Sequence, residues 1–334
     1  MSARTTISDV AAQAGVSIST VSLVMNEKGS VADGTRDHVR SVAERLGYTP
    51  SRSARRLAGG RTGNVGFVLR EDHFRHSEPF YTRVFLGAEF EARRRGLYVL
   101  LTTIPGTFRA ADTPRFLKEN SVDGVVVAGS VDDAFLRVLD RSGVPYVLAD
   151  YAWRGASAVE LDNHGGATRV AEHLVAQGHT RFGFLGADPG HPSLVARRAG
   201  FEAGVAEAGF AVHVVAGEAG ATRRAGLDLA PRLLDADARP TAVFCANDAL
   251  ALGLLDAAQA RGLRVPDDLA VVGFDDVDAA ALAAPPLTTV RVYKEQLGET
   301  ALAQLCERVE AGARTDRAPT TTRIATELVV RQSG

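Results

Sequence analysis

TISDVAAQAGVSISTVSLVM, residues 6–25, is the stretch that decides the fold of the N-terminal part of the chain. Its apolar residues recur at a helical spacing twice, once over 7–14 and once over 16–24. Thr6, with Asp9 three residues later, is placed to cap the first helix, and Ser17 is placed to cap the second. Gly15 separates the two periodic segments and permits a sharp break. The stretch therefore predicts two short helices joined by a tight turn.

This pattern is typical of a helix-turn-helix module, which reads DNA. The second helix of such a module lies in the major groove, with its N-terminal residues against the base edges. A third helix is predicted over 33–46, because Val39, Val42 and Leu46 are spaced to pack on the first two. Gly47 is a suitable C-terminal cap, and Pro50 prevents the helix from continuing. DNA is therefore the first expected partner.

The charge of the chain is divided between its parts. Of the 334 residues, 46% are hydrophobic and 23% are charged, which is normal for a globular protein of two or three domains. The net charge is −2, but residues 1–62 hold nine Lys/Arg against five Asp/Glu, and the remainder holds 29 against 35. Only the N-terminal segment therefore has the positive field that phosphate contacts need. Because that excess is modest, we expect a homodimer.

The cellular setting follows from what the sequence lacks. The N-terminus is polar, with no signal peptide, and no apolar run reaches the roughly 18 residues of a membrane span. Cys245 and Cys306 are isolated and lack metal-site spacing, so we expect two buried core thiols. The expectation is a cytoplasmic protein with no metal, no cofactor and no membrane contact.

From residue 64 onward the pattern alternates between strands and helices. Such apolar runs predict buried parallel strands with crossover helices, and their number over this length predicts two doubly wound subdomains. The predicted strands are 65–69, 98–102, 124–128, 146–149, 182–185, 241–245 and 270–274, and the clearest predicted helices are 80–95, 166–177, 194–208, 248–261 and 294–311.

The N-terminal residues resemble the opening of repressors of the LacI/GalR family. The resemblance implies an α/β protein with an all-α helix-turn-helix domain (1–50), a hinge (51–60), and an effector-binding and dimerisation core (61–334) like that of periplasmic binding proteins. It rests on Thr6-Ile7, Asp9-Val10-Ala11, Ala14-Gly15-Val16-Ser17, Thr20-Val21-Ser22, Asn26, Thr35-Arg36, Val39, Leu46-Gly47-Tyr48, Pro50, Ala54-Arg55 and Leu57.

The resemblance also implies the DNA-contacting residues. Ile18, Ser19 and Leu23 would meet base edges, and the two apolar side chains suit a thymine methyl group. The alternative is that Ile18 and Leu23 belong to the core of the module. In this family the hinge folds on DNA and wedges a leucine into the minor groove, which would be Leu57 here; the alternative is an ordinary basic linker. The predicted DNA-binding residues are Thr6, Ser17, Ile18, Ser19, Thr20, Ser22, Leu23, Asn26, Arg52, Ala54, Arg55 and Leu57.

Polar residues that directly follow the predicted strands are the candidates for an effector site. Ligands of such folds bind at the carboxyl ends of the strands, where Asp150, Asn247 and Asp275 are found. Asp248 could serve equally as a helix cap, and Asp276 is expected in a loop. The resemblance adds Arg197 as the residue that grips effectors, Phe80 at the cleft mouth, and sugar-contacting roles for Asp150 and Asn247. Trp153 could stack on a sugar ring or simply pack. Val292 departs from the glutamine that several members have.

Other classes of function fit the sequence less well. An enzyme is not expected, since the sequence has no GxxxxGK[ST], HExxH or GxSxG motif. A solute-binding transport protein shares the core architecture but would need an export signal and no DNA module. The chain ends soon after Val330 without a heptad tail, so a dimer is expected rather than a tetramer. The sequence therefore predicts a repressor of a near-palindromic operator that responds to a carbohydrate effector. A ligand-responsive activator and an effector-independent regulator stay open.

Overall fold

A computed structural model describes residues 5–25, 29–48, 61–75, 80–187, 190–218, 220–312 and 318–334. The chain divides into two compact units, residues 1–63 and residues 64–334. The predicted limits of 1–50, 51–60 and 61–334 stay a prediction, since residues 49–60 lie outside the described part.

The described residues of the first unit form three helices, α1 (Ile7–Ala14), α2 (Ile18–Met25) and α3 (Asp33–Arg45). Thr6 begins α1 with a capping box: its hydroxyl accepts from the Asp9 N–H, and its own N–H donates to the Asp9 carboxylate at 2.8 Å. The hydrogen bonds that the Thr6 N–H and hydroxyl donate to the Asp9 carboxylate lower its pKa. Gly15 makes the turn at φ 65°. Val10, Val21 and Val39 are fully buried and hold the three helices together.

The second unit contains two parallel sheets, and its elements follow in chain order. They are β1 (Asn64–Arg70), α4 (Glu71–Arg75), α5 (Phe80–Arg94), β2 (Tyr98–Ile104), a 3₁₀ turn (Ala110–Asp112), α6 (Arg115–Lys118), β3 (Gly124–Ala128), α7 (Asp133–Ser142), β4 (Tyr146–Ala149), β5 (Ser157–Leu161), α8 (Asn163–Ala176), β6 (Phe182–Ala187), α9 (Pro192–Glu207), β7 (Val212–Gly217), α10 (Arg223–Leu229), α11 (Pro231–Leu234), β8 (Ala242–Cys245), α12 (Asp248–Ala260), β9 (Ala270–Val272), α13 (Asp278–Leu282), β10 (Thr289–Arg291), α14 (Lys294–Ala311), β11 (Thr321–Ile324) and β12 (Glu327–Val329).

The first sheet has the order β11-β5-β4-β3-β1-β2, and the second has the order β7-β6-β8-β9. All neighbouring strands in these two sheets are parallel. The inner strands, such as β3, β6 and β8, are buried along their whole length because helices cover both faces, whereas the edge strands β2, β7 and β11 are partly exposed. β10 and β12 form a separate antiparallel pair. The predicted doubly wound α/β core with two subdomains is confirmed.

The chain crosses between the two subdomains three times. It leaves the first sheet after β5, returns to it through β10 and α14, and leaves it again after β11. α14 packs on α5 at very close range, since a Cβ at Gly298 would overlap the Val84 carbonyl and a Cβ at Gly87 would overlap the Glu295 carbonyl. The C-terminal part of the chain therefore contributes residues to both subdomains.

Several strands lay outside the sequence prediction. β11 pairs with β5 although the two are far apart in sequence, and β10 and β12 have only three residues each. β9 ends at Val272, earlier than the predicted 274, and from there the backbone pairs with the segment at β10, since Val272 bridges Thr288 and Asp275 bridges Arg291. Cys245 and Cys306 are buried, as expected. Among the described residues no single helix is long and apolar enough to cross a membrane; α1 and α2 meet that test only as a pair bent by 106°.

Candidate functional site

The N-terminal turn of α2 presents an exposed mixed surface. Ile18 is 51% exposed and Leu23 is 39% exposed, whereas Val21 and Val24 on the same helix are buried. The interpretation of Ile18 and Leu23 as core residues is therefore wrong. Their apolar side chains are available to a partner.

Hydroxyl groups lie beside this apolar surface. The Ser17 hydroxyl is 2.7 Å from that of Ser19 and 2.8 Å from that of Thr20, and the Thr20 N–H donates to Ser17 at 3.1 Å. Ser17 thus begins α2 as predicted. Each hydroxyl can both donate and accept, so the group can also bind phosphate oxygens or base edges.

The structure describes only some of the other predicted DNA-binding residues. Thr6 uses its hydroxyl within the capping box, where it donates to Asp9 Oδ2 at 2.7 Å. Ser22 is half-buried on α2. Asn26, Arg52, Ala54, Arg55 and Leu57 lie outside the described residues, as does the predicted hinge.

In the second unit, a buried polar cluster lies between the two subdomains. Asp150 directly follows β4 of the first sheet, and it is 5% exposed. It accepts a hydrogen bond from the Tyr81 hydroxyl at 3.0 Å and another from the Ser193 hydroxyl at 2.9 Å. Tyr81 lies on α5 of the first subdomain and Ser193 on α9 of the second. Asp150 therefore joins the two subdomains directly.

Arg197 is the central cation of this cluster. It is 3% exposed, and its Nε donates to Asn163 Oδ1 at 2.8 Å and its Nη1 to the Ala246 carbonyl at 2.8 Å. Its Nη2 lies 3.1 Å from Asp275 Oδ1, and the guanidinium carbon lies 3.8 Å from the centre of the Phe274 ring. The guanidinium is thus fixed in one plane.

Asp275 completes the other side of the cluster. Burial raises the pKa of its carboxyl, and the charge of Arg197 opposes that rise. The ion pair to Arg197 is not aligned as a hydrogen bond, and the buried Asp275 Oδ1 makes none with the described residues. Asp150 and Asp275 both have positive φ, 60° and 110°. Strained non-glycine backbone of this kind is concentrated at functional sites.

Four residues of the cluster were missed by the sequence analysis. Tyr81 and Ser193 bind Asp150. His73 on α4 stacks on Tyr81 with ring centres 4.7 Å apart, and its ring centre is 6.4 Å from that of His191. Burial lowers the pKa of His73 to about 4. The buried His191 Nδ1 makes no hydrogen bond within the described residues.

Lys294 is a further buried cation that the sequence analysis did not select. It begins α14, is 5% exposed, and donates from Nζ to the Asp275 carbonyl. Its Nζ is also 5.9 Å from the centre of the Phe80 ring. Phe80 is buried at the start of α5, so the predicted aromatic does lie beside the cluster.

Two predicted effector residues have other contacts. Asn247 caps α12: its Oδ1 accepts from the Leu250 N–H, and its Nδ2 donates to the Ala221 carbonyl, each at 2.9 Å. Trp153 is half-buried and packs against the apolar cluster on the other side of the first sheet. Their effector roles stay predictions.

Asp248 was expected to cap α12 or to bind ligand, and the capping part of that expectation is wrong because Asn247 is the cap. Asp248 is fully buried and accepts from the Thr289 hydroxyl and the Val277 N–H. Its pKa is raised well above its usual value by burial. Its hydrogen bonds hold the loop that follows β9 in place.

Asp276 is more than a loop residue. Its Oδ2 pairs with Arg291 Nε at 2.7 Å and its Oδ1 with Arg331 Nη2 at 2.6 Å. The backbone of Asp275 also pairs with β10, since its N–H donates to the Val290 carbonyl at 2.8 Å. The loop after β9 is therefore tied to the strand through which the chain returns to the first subdomain.

Comparison with known proteins relates these features to families. Residues 6–51 match the family described as bacterial regulatory proteins, lacI family, and residues 171–334 match the periplasmic binding protein-like domain. The HTH-type transcriptional repressor PurR of Photobacterium profundum is 33% identical over 313 residues, covering 91% of this chain and 92% of that protein. The HTH-type transcriptional regulator CelR of Thermobifida fusca is 33% identical over 338 residues, covering 99% and 98%.

Two solved structures show the same likeness. A complex of the transcriptional regulator CelR with cellobiose is 31% identical with a TM-score of 0.71, covering 99% of this chain and 100% of that one. The lac repressor dimer bound to operator and the anti-inducer ONPF is 25% identical with a TM-score of 0.82, covering 99% of each chain.

Proposed function

The chain belongs to the LacI family of transcriptional regulators, and we propose that it is a cytoplasmic repressor whose operator affinity is controlled by a sugar or sugar derivative. The effector would bind in the cluster between the subdomains, and the operator would bind to α2. The observation that carries the proposal is the position of Asp150, Arg197 and Asp275. These side chains from both subdomains converge on one buried site.

A ligand at this site can directly change how the two subdomains contact each other. Asp150 binds Ser193 across the cleft, so a ligand hydroxyl that binds Asp150 competes with that contact or adds to it. A ligand shifts a conformational equilibrium only by its differential affinity for the two states. Effector and operator must therefore change each other's affinity by the same factor, commonly about 1–3 kcal/mol.

The DNA-facing role is supported by the surface of α2. Ile18 and Leu23 are exposed next to the hydroxyls of Ser17, Ser19 and Thr20. Apolar side chains favour thymine methyl groups, and hydroxyls bind phosphates or base edges. Two copies of α2 in a dimer would read the two halves of a near-palindromic operator.

A homodimer is supported by the exposed apolar residues of the first subdomain. Leu86 and Phe90 lie on one face of α5, and Tyr98 and Leu101 lie on β2, the edge strand of the first sheet. Tyr98 is 59% exposed. Exposed apolar groups on neighbouring elements are typical of an interface between proteins.

The proposed hinge, residues 51–60, lies outside the described part of the chain and carries the predicted wedge Leu57. Leu57→Ala should weaken operator affinity and leave effector affinity unchanged, since a wedging leucine acts only on DNA. Anisotropy titration with a labelled operator, together with calorimetry of the effector, would measure both. Equal operator affinity in the variant would rule out the wedge.

The proposal as a whole is tested in two steps. Selection of bound sequences from random DNA should give a near-palindromic operator. Thermal-shift screening against sugars and sugar derivatives should then find an effector, because binding to the folded state raises the melting temperature. Cellobiose is a natural first compound, since the CelR relative is a cellobiose complex. A protein that selects no sequence would overturn the DNA-binding proposal.

A further inference from the structure

The cations of the inter-subdomain cluster already have partners. Arg70 at the end of β1, whose charge acts on His73, donates from Nε to Asp72 at 2.9 Å. Arg197 donates to Asn163 and to the Ala246 carbonyl, and its Nη2 forms an ion pair with Asp275 that is not aligned as a hydrogen bond. Lys294 donates to the Asp275 carbonyl, and its charge acts on Asp275 and Asp248. The cluster therefore holds no described cation whose charge is left for an anionic ligand.

Asp150, in contrast to these cations, lacks an ion-pair partner among the described residues. Its carboxylate receives two hydroxyl groups, from Tyr81 and Ser193, and no Lys, Arg or His of the described chain lies within 4.0 Å as an ion-pair partner. Each carboxylate oxygen can accept a second hydrogen bond. A ligand that enters the cluster therefore meets an uncompensated negative charge with acceptor capacity left.

One more atom in the cluster adds to this shortage of donors. Asp275 Oδ1 is buried and makes no hydrogen bond to a described residue. A buried polar atom without a partner costs free energy until a ligand supplies one. Asp275 Oδ1 can only accept from the groups around it, so the cluster calls for a ligand with several hydrogen-bond donors.

We propose that the effector is an uncharged polyhydroxyl compound, and that phosphorylated and other anionic derivatives of the same compound are rejected. This inference rests on the proposed function of the cluster as the effector site. Hydroxyl groups donate to Asp150 and Asp275, whereas a phosphate supplies only acceptors and adds a charge of about −1.5 to −2 at pH 7.

The neighbouring His73 adds no positive charge that would favour binding of a phosphate. The lowered pKa of His73 keeps its ring neutral at pH 7. A phosphate near Asp150 would therefore be repelled with little compensation, since charges in such surroundings interact several times more strongly than in water.

The test compares ligands that differ only in charge, on the full-length protein at pH 8.0. Melting temperatures and calorimetric Kd values would be measured for glucose, ribose, cellobiose and mannitol, for the phosphate monoester of each, and for glucosamine. We expect at least one neutral compound to bind, and its phosphate to bind at least about tenfold more weakly. A phosphate that binds as tightly as its parent would overturn the inference. The inference would also fail if glucosamine bound most tightly, or if none of the compounds bound.

Two variants identify the source of the discrimination. Asp150→Asn removes the charge and keeps an acceptor, so the ratio of the phosphate Kd to the neutral Kd should fall at least about threefold. Ser193→Ala is the matched control, because it removes one hydrogen bond from the same carboxylate without changing its charge, and that ratio should stay the same. An unchanged ratio in Asp150→Asn would contradict the role of Asp150. Operator affinity, measured on the same preparations, tests the proposed function separately.

Discussion

The Ser193 hydroxyl donates a 2.9 Å hydrogen bond to the Asp150 carboxylate, and this bond connects the two subdomains of the core at a buried point. Hydroxyl groups of the protein thus already occupy part of the acceptor capacity of Asp150. The same carboxylate that would receive an effector holds the second subdomain against the first. Under the proposed function, ligand affinity and subdomain contact therefore depend on the same atoms.

Ser193→Ala should reduce the free energy of unfolding by about 1–2 kcal/mol, because a buried carboxylate loses one of its two hydroxyl donors. Urea denaturation followed by circular dichroism would measure the change. Ser8→Ala is a suitable control, since Ser8 is exposed on α1. A loss no larger than that of the control would show that the bond contributes nothing to closure.

Arg197→Ala should remove the response of operator binding to the effector and should also reduce stability. The substitution leaves Asp275 buried without its cation, which typically costs about 3–5 kcal/mol. Arg197→Ala combined with Asp275→Ala should recover part of that loss, since no unpaired charge remains. Denaturation of the two single variants and the double variant gives the coupling between the residues, and strictly additive losses would exclude it.

His73 should make the core less stable in acid. Its pKa is about 4 in the folded protein against 6.5 for the unperturbed side chain, so the unfolded chain takes up the proton first as the pH falls. This term is absent above about pH 6.5 and grows as the pH drops toward 4, where it reaches on the order of 1–3 kcal/mol.

Comparison of His73→Gln with the unmodified protein between pH 7.5 and 4.5 would isolate this contribution. The variant should lose less stability over that interval. His213→Gln is the control, because His213 is exposed on β7. Parallel stability curves for all three proteins would contradict a depressed pKa at His73.

Ile18→Ala and Leu23→Ala should each weaken operator binding with little effect on folding. Both side chains are largely outside the core, so the free energy of unfolding should change by no more than about 0.5 kcal/mol. A lost base contact costs about 1–3 kcal/mol in binding. Anisotropy with the selected operator measures this, with Ser41→Ala on the exposed face of α3 as control. Affinities equal to that of the control would place base recognition elsewhere.

The sequence was most informative where local chemistry determines structure. The capping box at Thr6, the turn at Gly15 and the cap at Ser17 are local signals, and all three appear as predicted. Asp150 could be selected because it directly follows β4, and Asp275 because it lies three residues after the end of β9. A strand end has a known place in a parallel sheet, so its position in the chain is enough to locate it.

Other residues could not be selected from the chain alone. His73 lies on a helix of five residues, and its place beside Tyr81 and His191 arises only from tertiary packing. Lys294 begins a long helix, where a lysine is ordinarily exposed. Asn247 and Asp248 are both suitable caps, and the sequence could not distinguish them because only burial shows which one faces the interior.

Adjacent residues in the loop after β9 have separate tasks. Asp275 faces Arg197 in the cluster, whereas Asp276 holds Arg291 on β10 and Arg331 near the end of the chain. One peptide bond thus separates the carboxylate that we propose binds the effector from the carboxylate that anchors the returning strand. The Asp275 N–H donates to the Val290 carbonyl on β10, so we expect a displacement of Asp275 to move β10 through the backbone. A change at the proposed site would then reach the first subdomain without a chain of side-chain contacts.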